Sequence, residues 1–297
     1  MTVALSPLSL ARTAAWRTAR SLFTMRGHCT DQELAAAVRG KTVLLTGASF
    51  GIGEATARRL GAAGATVLLV ARSDDRLREV AGSITAAGGE AHGYPADLTD
   101  GPAVQALVEQ VLDKHGHVDV LVNNAGRSIR RSVEDSYDRA HDYERTMAIN
   151  YLGPVRLTLG LLPSMRERRS GHVVSVATHG VAPGMPAVPL WGAYLSSKVA
   201  FDWWLRTMAL EAKGDGVTAT SVYMGLVHTR MSAPSPSVRQ IPGISPATAA
   251  GVLCDAIVRR PKSMEPLWTK ATSAATTMLS GPIDLALSKA FQRGRAI

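Results

Sequence analysis

From Lys41 onward, short apolar runs alternate with longer amphipathic stretches. Residues 42–46 and 66–71 are continuous apolar and β-branched runs with polar or glycine-rich residues on either side. Runs of that length with no polar face predict strands buried on both sides. Similar runs at 118–123, 172–177 and 216–223, and a shorter segment ending at Asp97, predict further strands. Between them the pattern predicts helices over 53–63, 74–88, 101–115, 138–168 and 192–213. Strands alternating with helices predict an α/β fold with a parallel sheet. Residues 228–245 are rich in Pro and Ser and read as a loop. The expected organisation is one catalytic domain over 41–262 between a basic N-terminal extension, 1–40, and a tail, 263–297, with a weak apolar stripe of Ile283, Leu287 and Phe291.

Composition narrows the options. Of 297 residues 46% are hydrophobic and only 5% aromatic, so aliphatic side chains must fill the core. Two cysteines, Cys29 and Cys254, cannot make a disulfide framework, and a reducing cytoplasmic location is expected. No apolar run is long enough to span a bilayer. The formal charge of +9 points to anionic partners. With no nucleic-acid motif beside it, phosphorylated small molecules or the inner membrane surface are expected rather than nucleic acid. Residues 1–30 carry Arg12, Arg17, Arg20 and Arg26 and no carboxylate. They read either as a basic surface segment at a membrane or as an extension packed on the domain. No metal ligand set is expected.

Two segments carry the chemistry. The turn Thr46-Gly47-Ala48-Ser49-Phe50-Gly51-Ile52-Gly53 joins a strand to a helix. There a dinucleotide pyrophosphate meets backbone N–H groups and a helix N-terminus, and side chains beyond Cα would block its approach. The second strand ends in Ala71-Arg72-Ser73, with no carboxylate for a ribose 2′-hydroxyl and an arginine suited to a 2′-phosphate. NADP(H) is therefore the expected cofactor. In Tyr194-Leu195-Ser196-Ser197-Lys198 the tyrosine and lysine are four residues apart and share a helix face. A neighbouring ammonium is expected to lower the phenol pKa and tune Tyr194 for proton transfer to a carbonyl.

The turn at 46–53, Asp97, the run Asn123-Asn124-Ala125-Gly126, Asn150 and the Tyr194/Lys198 pair occur in one order, and over about 41–262 the chain resembles the short-chain dehydrogenase/reductase family. The resemblance implies a Rossmann-type, doubly wound sheet of about seven strands and a homo-oligomer. It implies that the cofactor lies along Gly47, Ser49, Gly51, Ile52 and Gly53, then Arg72 and Ser73, then Asp97 and Leu98 at the adenine, and Asn124, Ala125 and Gly126. At the nicotinamide end it implies Lys198, Gly225, Val227 and Thr229. It makes Tyr194 the proton donor and gives Asn150 the ordering of a relay water. The family's carbonyl-binding serine falls at Thr178, with Ser175 as the alternative, and its usual Pro-Gly after the sixth strand is Met224-Gly225 here.

A narrower similarity lies in 123–165, with Asn-Ala-Gly-Arg-Ser-Ile-Arg-Arg, His141-Asp142 and Arg145-Thr146-Met147. These resemble bacterial short-chain-type fatty acyl-CoA reductases and mycobacterial lipid reductases, including a mycolate-precursor reductase. That implies reduction of a long-chain acyl thioester to an aldehyde. The alternatives are reduction of a 3-oxo lipid and, in another class, a silent NADP-binding regulator. Arg127, Arg130 and Arg131 are candidates for an anionic group on the substrate, or else for ion pairs with Glu134, Asp135 or Asp142. The 228–245 loop reads as a lid.

Overall fold

A computed structural model of the chain describes residues 25–233 and 243–295. The basic segment 1–24 and the middle of the expected lid, 234–242, lie outside the described residues. The first two apolar runs form β1 (Thr42–Thr46) and β2 (Thr66–Ala71), paired in parallel with Thr46 opposite Val70. β3 (Glu90–Pro95), β4 (Val120–Asn123), β5 (Gly171–Thr178), β6 (Val217–Met224) and β7 (Ser263–Met264) complete a parallel sheet in the order β3-β2-β1-β4-β5-β6-β7. The strand order reverses between β1 and β4, so their carboxyl ends flank the crevice where such sheets bind ligands.

The helices are α1 (Asp31–Val38), α2 (Gly51–Ala62), α3 (Asp74–Ala86), α4 (Gly101–His115) and α5 (Ala140–Met147). They continue with α6 (Gly153–Glu167), α7 (Gly192–Glu211), α8 (Pro246–Arg259), α9 (Leu267–Met278) and α10 (Ser280–Arg295). Alternate strand residues feed two separate cores. Val43, Leu45, Val67 and Leu69 pack with Leu34 of α1, Leu60 of α2 and Leu253 of α8. Leu44, Leu68 and Leu121 pack with Leu107 of α4, Leu157 of α6 and Leu205 of α7. Burial on both faces is why these strands read as unbroken apolar runs.

Three elements differ from the sequence expectation. Packing starts before Lys41: α1 opens with a capping box in which Thr30 Oγ1 accepts from Glu33 N at 3.1 Å and Thr30 N donates to Glu33 Oε2 at 2.7 Å. Its Leu34 and Val38 are fully buried. The single helix expected over 138–168 is instead α5, a π-helical turn at Ala148–Leu152, and α6. Pro154 has no N–H to give the carbonyl of Asn150, so a regular helix cannot run through this point without a lost bond. The tail contains β7, α9 and α10; its stripe Ile283, Leu287 and Phe291 is the half-buried face of α10. Among the described residues no helix is long and apolar enough to cross a membrane.

Candidate active site

At the carboxyl ends of β1 and β4 the backbone is tied by one threonine and one asparagine. Thr46 Oγ1 accepts from Asn124 N at 3.0 Å and Ala125 N at 2.9 Å, and donates to Val122 O at 3.3 Å. Asn124 Nδ2 donates to Thr46 O at 2.9 Å and Gly47 O at 3.3 Å. These bonds fix the turn against the next strand. Gly47 has φ +66° and a Cβ there would stand 2.9 Å from Ala125 Cα, so only glycine fits. Phe50, the N-cap residue of α2, makes no side-chain cap, which leaves that helix's first N–H groups open to an anion.

The turn forms one wall of a cleft of about 710 Å³. Gly47, Ser49, Gly51, Ile52, Asn124, Ala125, Gly126, Thr178, Tyr194, Lys198, Gly225, Val227 and Thr229 all line it. No Asp or Glu is among the lining residues. The expected Gly53 and Asn150 stand behind this wall; Arg72, Ser73, Asp97 and Leu98 lie outside it, around the ends of β2 and β3. There Asp97 accepts from Thr99 N at 2.9 Å and Thr99 Oγ1 at 2.8 Å. The Thr99 backbone bond holds its carboxyl below the usual range, and the charge of the exposed Arg72 adds to this.

At the other end, α7 sets Tyr194 one turn before Lys198, against the end of β5. Lys198 Nζ donates to Val176 O at 2.9 Å and the side chain is buried. Burial pushes its ammonium down to about 8. Burial likewise pushes the Tyr194 phenol up to about 12, opposed by its hydrogen bond with Thr178. This corrects the expectation that the neighbouring ammonium sets the phenol: desolvation outweighs it. Trp191 packs edge-on against Tyr194, ring centroids 5.9 Å apart. Ser175, the alternative to Thr178, is buried within β5 beside Asn123 and does not line the cleft.

Asn150 has a structural duty that its place in the sequence did not reveal. Its Oδ1 accepts Arg127 N at 2.9 Å, and its Nδ2 donates to Arg127 O at 2.8 Å and Ser197 Oγ at 2.9 Å. Both amide hydrogens are spent on protein atoms, so this side chain holds the 127 loop. Ser197 Oγ in turn donates to Tyr194 O at 2.7 Å, tying that loop to the helix of Tyr194. Asn124 is also a turn-holding residue, its amide committed to backbone carbonyls.

Sequence reasoning missed several lining residues. Phe50 is stacked under the Arg76 guanidinium at 4.6 Å and the Arg230 guanidinium at 4.1 Å, on the rim of the cleft. An aromatic residue inside a glycine-rich turn was the available signal. His179, Val188, Trp191 and Leu195 add a largely apolar part to the lining. His179 is kept below its ordinary pKa by burial and touches Trp268 of α9, with rings 5.8 Å apart. Of the two adjacent tryptophans, Trp204 stacks on Phe201, whereas Trp203 is exposed under Arg206.

Comparison with known proteins agrees with this architecture. The short chain dehydrogenase family model matches residues 41–239. An uncharacterized oxidoreductase of Mycobacterium tuberculosis is 46% identical over 258 residues, 86% of this chain and 75% of that protein. The fatty acyl-CoA reductase of Acinetobacter baylyi is 47% identical over 225 residues, 76% of this chain and 75% of that protein. Among solved structures, a metagenomic short-chain oxidoreductase in complex with NADP superposes with a TM-score of 0.64 at 30% identity, over 75% of this chain and 92% of that one. With its parallel seven-stranded sheet, glycine turn and Tyr194/Lys198 helix, the chain belongs to the short-chain dehydrogenase family of oxidoreductases.

Proposed function

We propose that the protein reduces the carbonyl of a long-chain acyl thioester with NADPH, giving an aldehyde and a free thiol. The observation that carries the reading is that Thr178, Tyr194 and Lys198 line one cleft that has no carboxylate among its lining residues. The similarity to the A. baylyi fatty acyl-CoA reductase supports the substrate class. The residues at the turn fit a nicotinamide dinucleotide: a glycine cradle with no space for a Cβ, and an uncapped helix N-terminus for the pyrophosphate. Arg72 at the end of β2, beside Asp97, would take the 2′-phosphate, which favours NADPH over NADH. The similar structure that holds NADP supports this choice.

Bound along the turn, NADPH supplies the hydride. Thr178 and Tyr194 hold the substrate carbonyl oxygen between two hydroxyl donors. Tyr194, kept protonated across the neutral range by burial, passes its phenolic proton to that oxygen as the carbonyl carbon is reduced. Lys198 lies under the same site, where a cofactor ribose would reach its ammonium. The resulting hemithioacetal breaks its C–S bond as its hydroxyl gives up the proton and the C=O re-forms; the departing thiolate takes up one proton, leaving an aldehyde and a free thiol. The wall of Val188, Trp191 and Leu195 gives an acyl chain an apolar surface.

NADPH oxidation followed together with free thiol, using a long-chain acyl-CoA, tests this. One thiol per NADPH, or one per two if the aldehyde goes on to the alcohol, is the expected result. NADPH loss on a 3-oxoacyl substrate, with no thiol from an acyl-CoA, would overturn it in favour of ketone reduction. Silence on both substrates, with NADPH still bound, would leave a regulatory binding protein.

A further inference from the structure

The segment after Gly126 carries three arginines within five residues, and the structure sorts them into two kinds. Arg131 points away from the cleft: its Nε lies 3.0 Å from Asp142 Oδ2. Asp142 is buried and also takes Arg139 Nε at 3.0 Å, His141 Nε2 at 3.4 Å and Arg145 Nη1 at 3.9 Å. That carboxylate is already paired within the protein. Arg127 and Arg130 are different. Both are exposed, both line the cleft, and among the described residues neither makes an ion pair.

Their backbone is nonetheless held. Asn150 bonds both the N–H and the carbonyl of Arg127, at 2.9 and 2.8 Å, and Arg131 N donates to Leu190 O at 2.7 Å. A segment pinned at both ends presents two unpaired guanidiniums to a cleft that has no carboxylate of its own. Arg230 stands on its rim against Phe50. A backbone already held in place removes part of the ordering cost when these arginines close on an oxyanion, and their fork matches a phosphate. On the reading above, the cofactor phosphates would take the turn and, outside the cleft lining, Arg72.

We propose that Arg127 and Arg130 form a phosphate subsite for the substrate, which recognises the phosphorylated carrier of the acyl thioester. This rests on the thioester reading above and deepens it: the site selects a phosphopantetheine-type handle, whether on coenzyme A or on a carrier protein. Asn150 is a positioning residue for that subsite.

The test uses the full chain and the double variant Arg127→Gln/Arg130→Gln. Free coenzyme A is titrated calorimetrically with NADP+ saturating, so that the cofactor groove is filled. Binding is expected in the wild type and to weaken at least about tenfold in the variant, with the NADPH affinity unchanged. Equal coenzyme A binding by both proteins, or a matching loss of NADPH affinity, would overturn the subsite. Kinetics give the second reading. KM for a long-chain acyl-CoA should rise in the variant, while KM for the N-acetylcysteamine thioester of the same acid, which has no phosphate, stays put. Equal rises on both would overturn the proposal. An acyl-carrier-protein substrate with a lower KM than acyl-CoA, lost in the variant, would name the carrier protein as the source of the phosphate. If the wild type reduces no thioester, the thioester reading fails, whereas the coenzyme A titration still decides the subsite.

Discussion

Lys198 and Tyr194 are shifted in opposite senses by one cause, loss of water. For Lys198 the folded pKa of about 8 lies below the ordinary 10.5, so the unfolded chain binds more protons between those values. Stability contributed at this site therefore rises with pH across that window, and below it the folded protein carries the full burden of a buried charge. Lys198→Met should abolish turnover yet stabilise the cofactor-free protein at pH 7. The desolvation relieved, offset by the orphaned carbonyl of Val176, leaves a gain of about 2 kcal/mol. That gain should fade as pH approaches 10.5, and denaturant melts at pH 7, 8.5 and 10 check it. A constant difference would mean the ammonium is not strained. Thr178 allows a cleaner separation of roles. Thr178→Ser should keep most of the rate, Thr178→Val should lower kcat by roughly a hundredfold, and Ser175→Ala should leave kcat alone. The opposite ranking would shift the carbonyl contact to Ser175.

The π-helical turn between α5 and α6 connects local sequence to site geometry. It places Asn150 where its amide clamps Arg127 and reaches Ser197, three bonds from one buried side chain. Asn150→Ala strands both backbone groups of Arg127, at a cost of about 1–3 kcal/mol. The amides of 126–131 should then exchange with solvent faster than those of β4, as hydrogen-exchange mass spectrometry would read. Unchanged protection there would mean that Leu190 alone holds the loop. β1 and β2 could be read to the residue, because strands buried on both faces leave an unbroken apolar signature. Tyr194, Lys198 and the glycine turn were equally legible, since their spacing carries the chemistry. The π turn was not: its cause is one missing N–H at Pro154, inside an otherwise helical pattern. α1 was legible in principle through Thr30 and Glu33, but it directly follows the basic, carboxylate-free residues 1–30 and was grouped with them. The two-residue β7 lies below any periodicity, and the role of Asn150 depends on contacts 23 and 47 residues away.

For the whole molecule, cofactor binding and stability are one equilibrium. The cleft joins the ends of β1, β4, β5 and β6, so a dinucleotide bound there engages both halves of the sheet and none of the unfolded chain. At a hundred times its Kd, a ligand specific for the native state adds about 2.7 kcal/mol. For a chain of this size that raises Tm by roughly 4–5 °C. Arg72→Ala removes a charged contact worth about 1.5–3 kcal/mol, a loss of affinity of ten- to a hundredfold. At the same NADPH concentration most of the thermal shift should therefore vanish, while the smaller shift given by NADH stays as it was, since NADH has no 2′-phosphate for Arg72 to meet. Differential scanning fluorimetry with both nucleotides reads this directly. If the variant loses the NADPH and NADH shifts in equal proportion, Arg72 supports the fold of the adenine end rather than reading the phosphate, and the preference for NADPH must come from elsewhere in the chain.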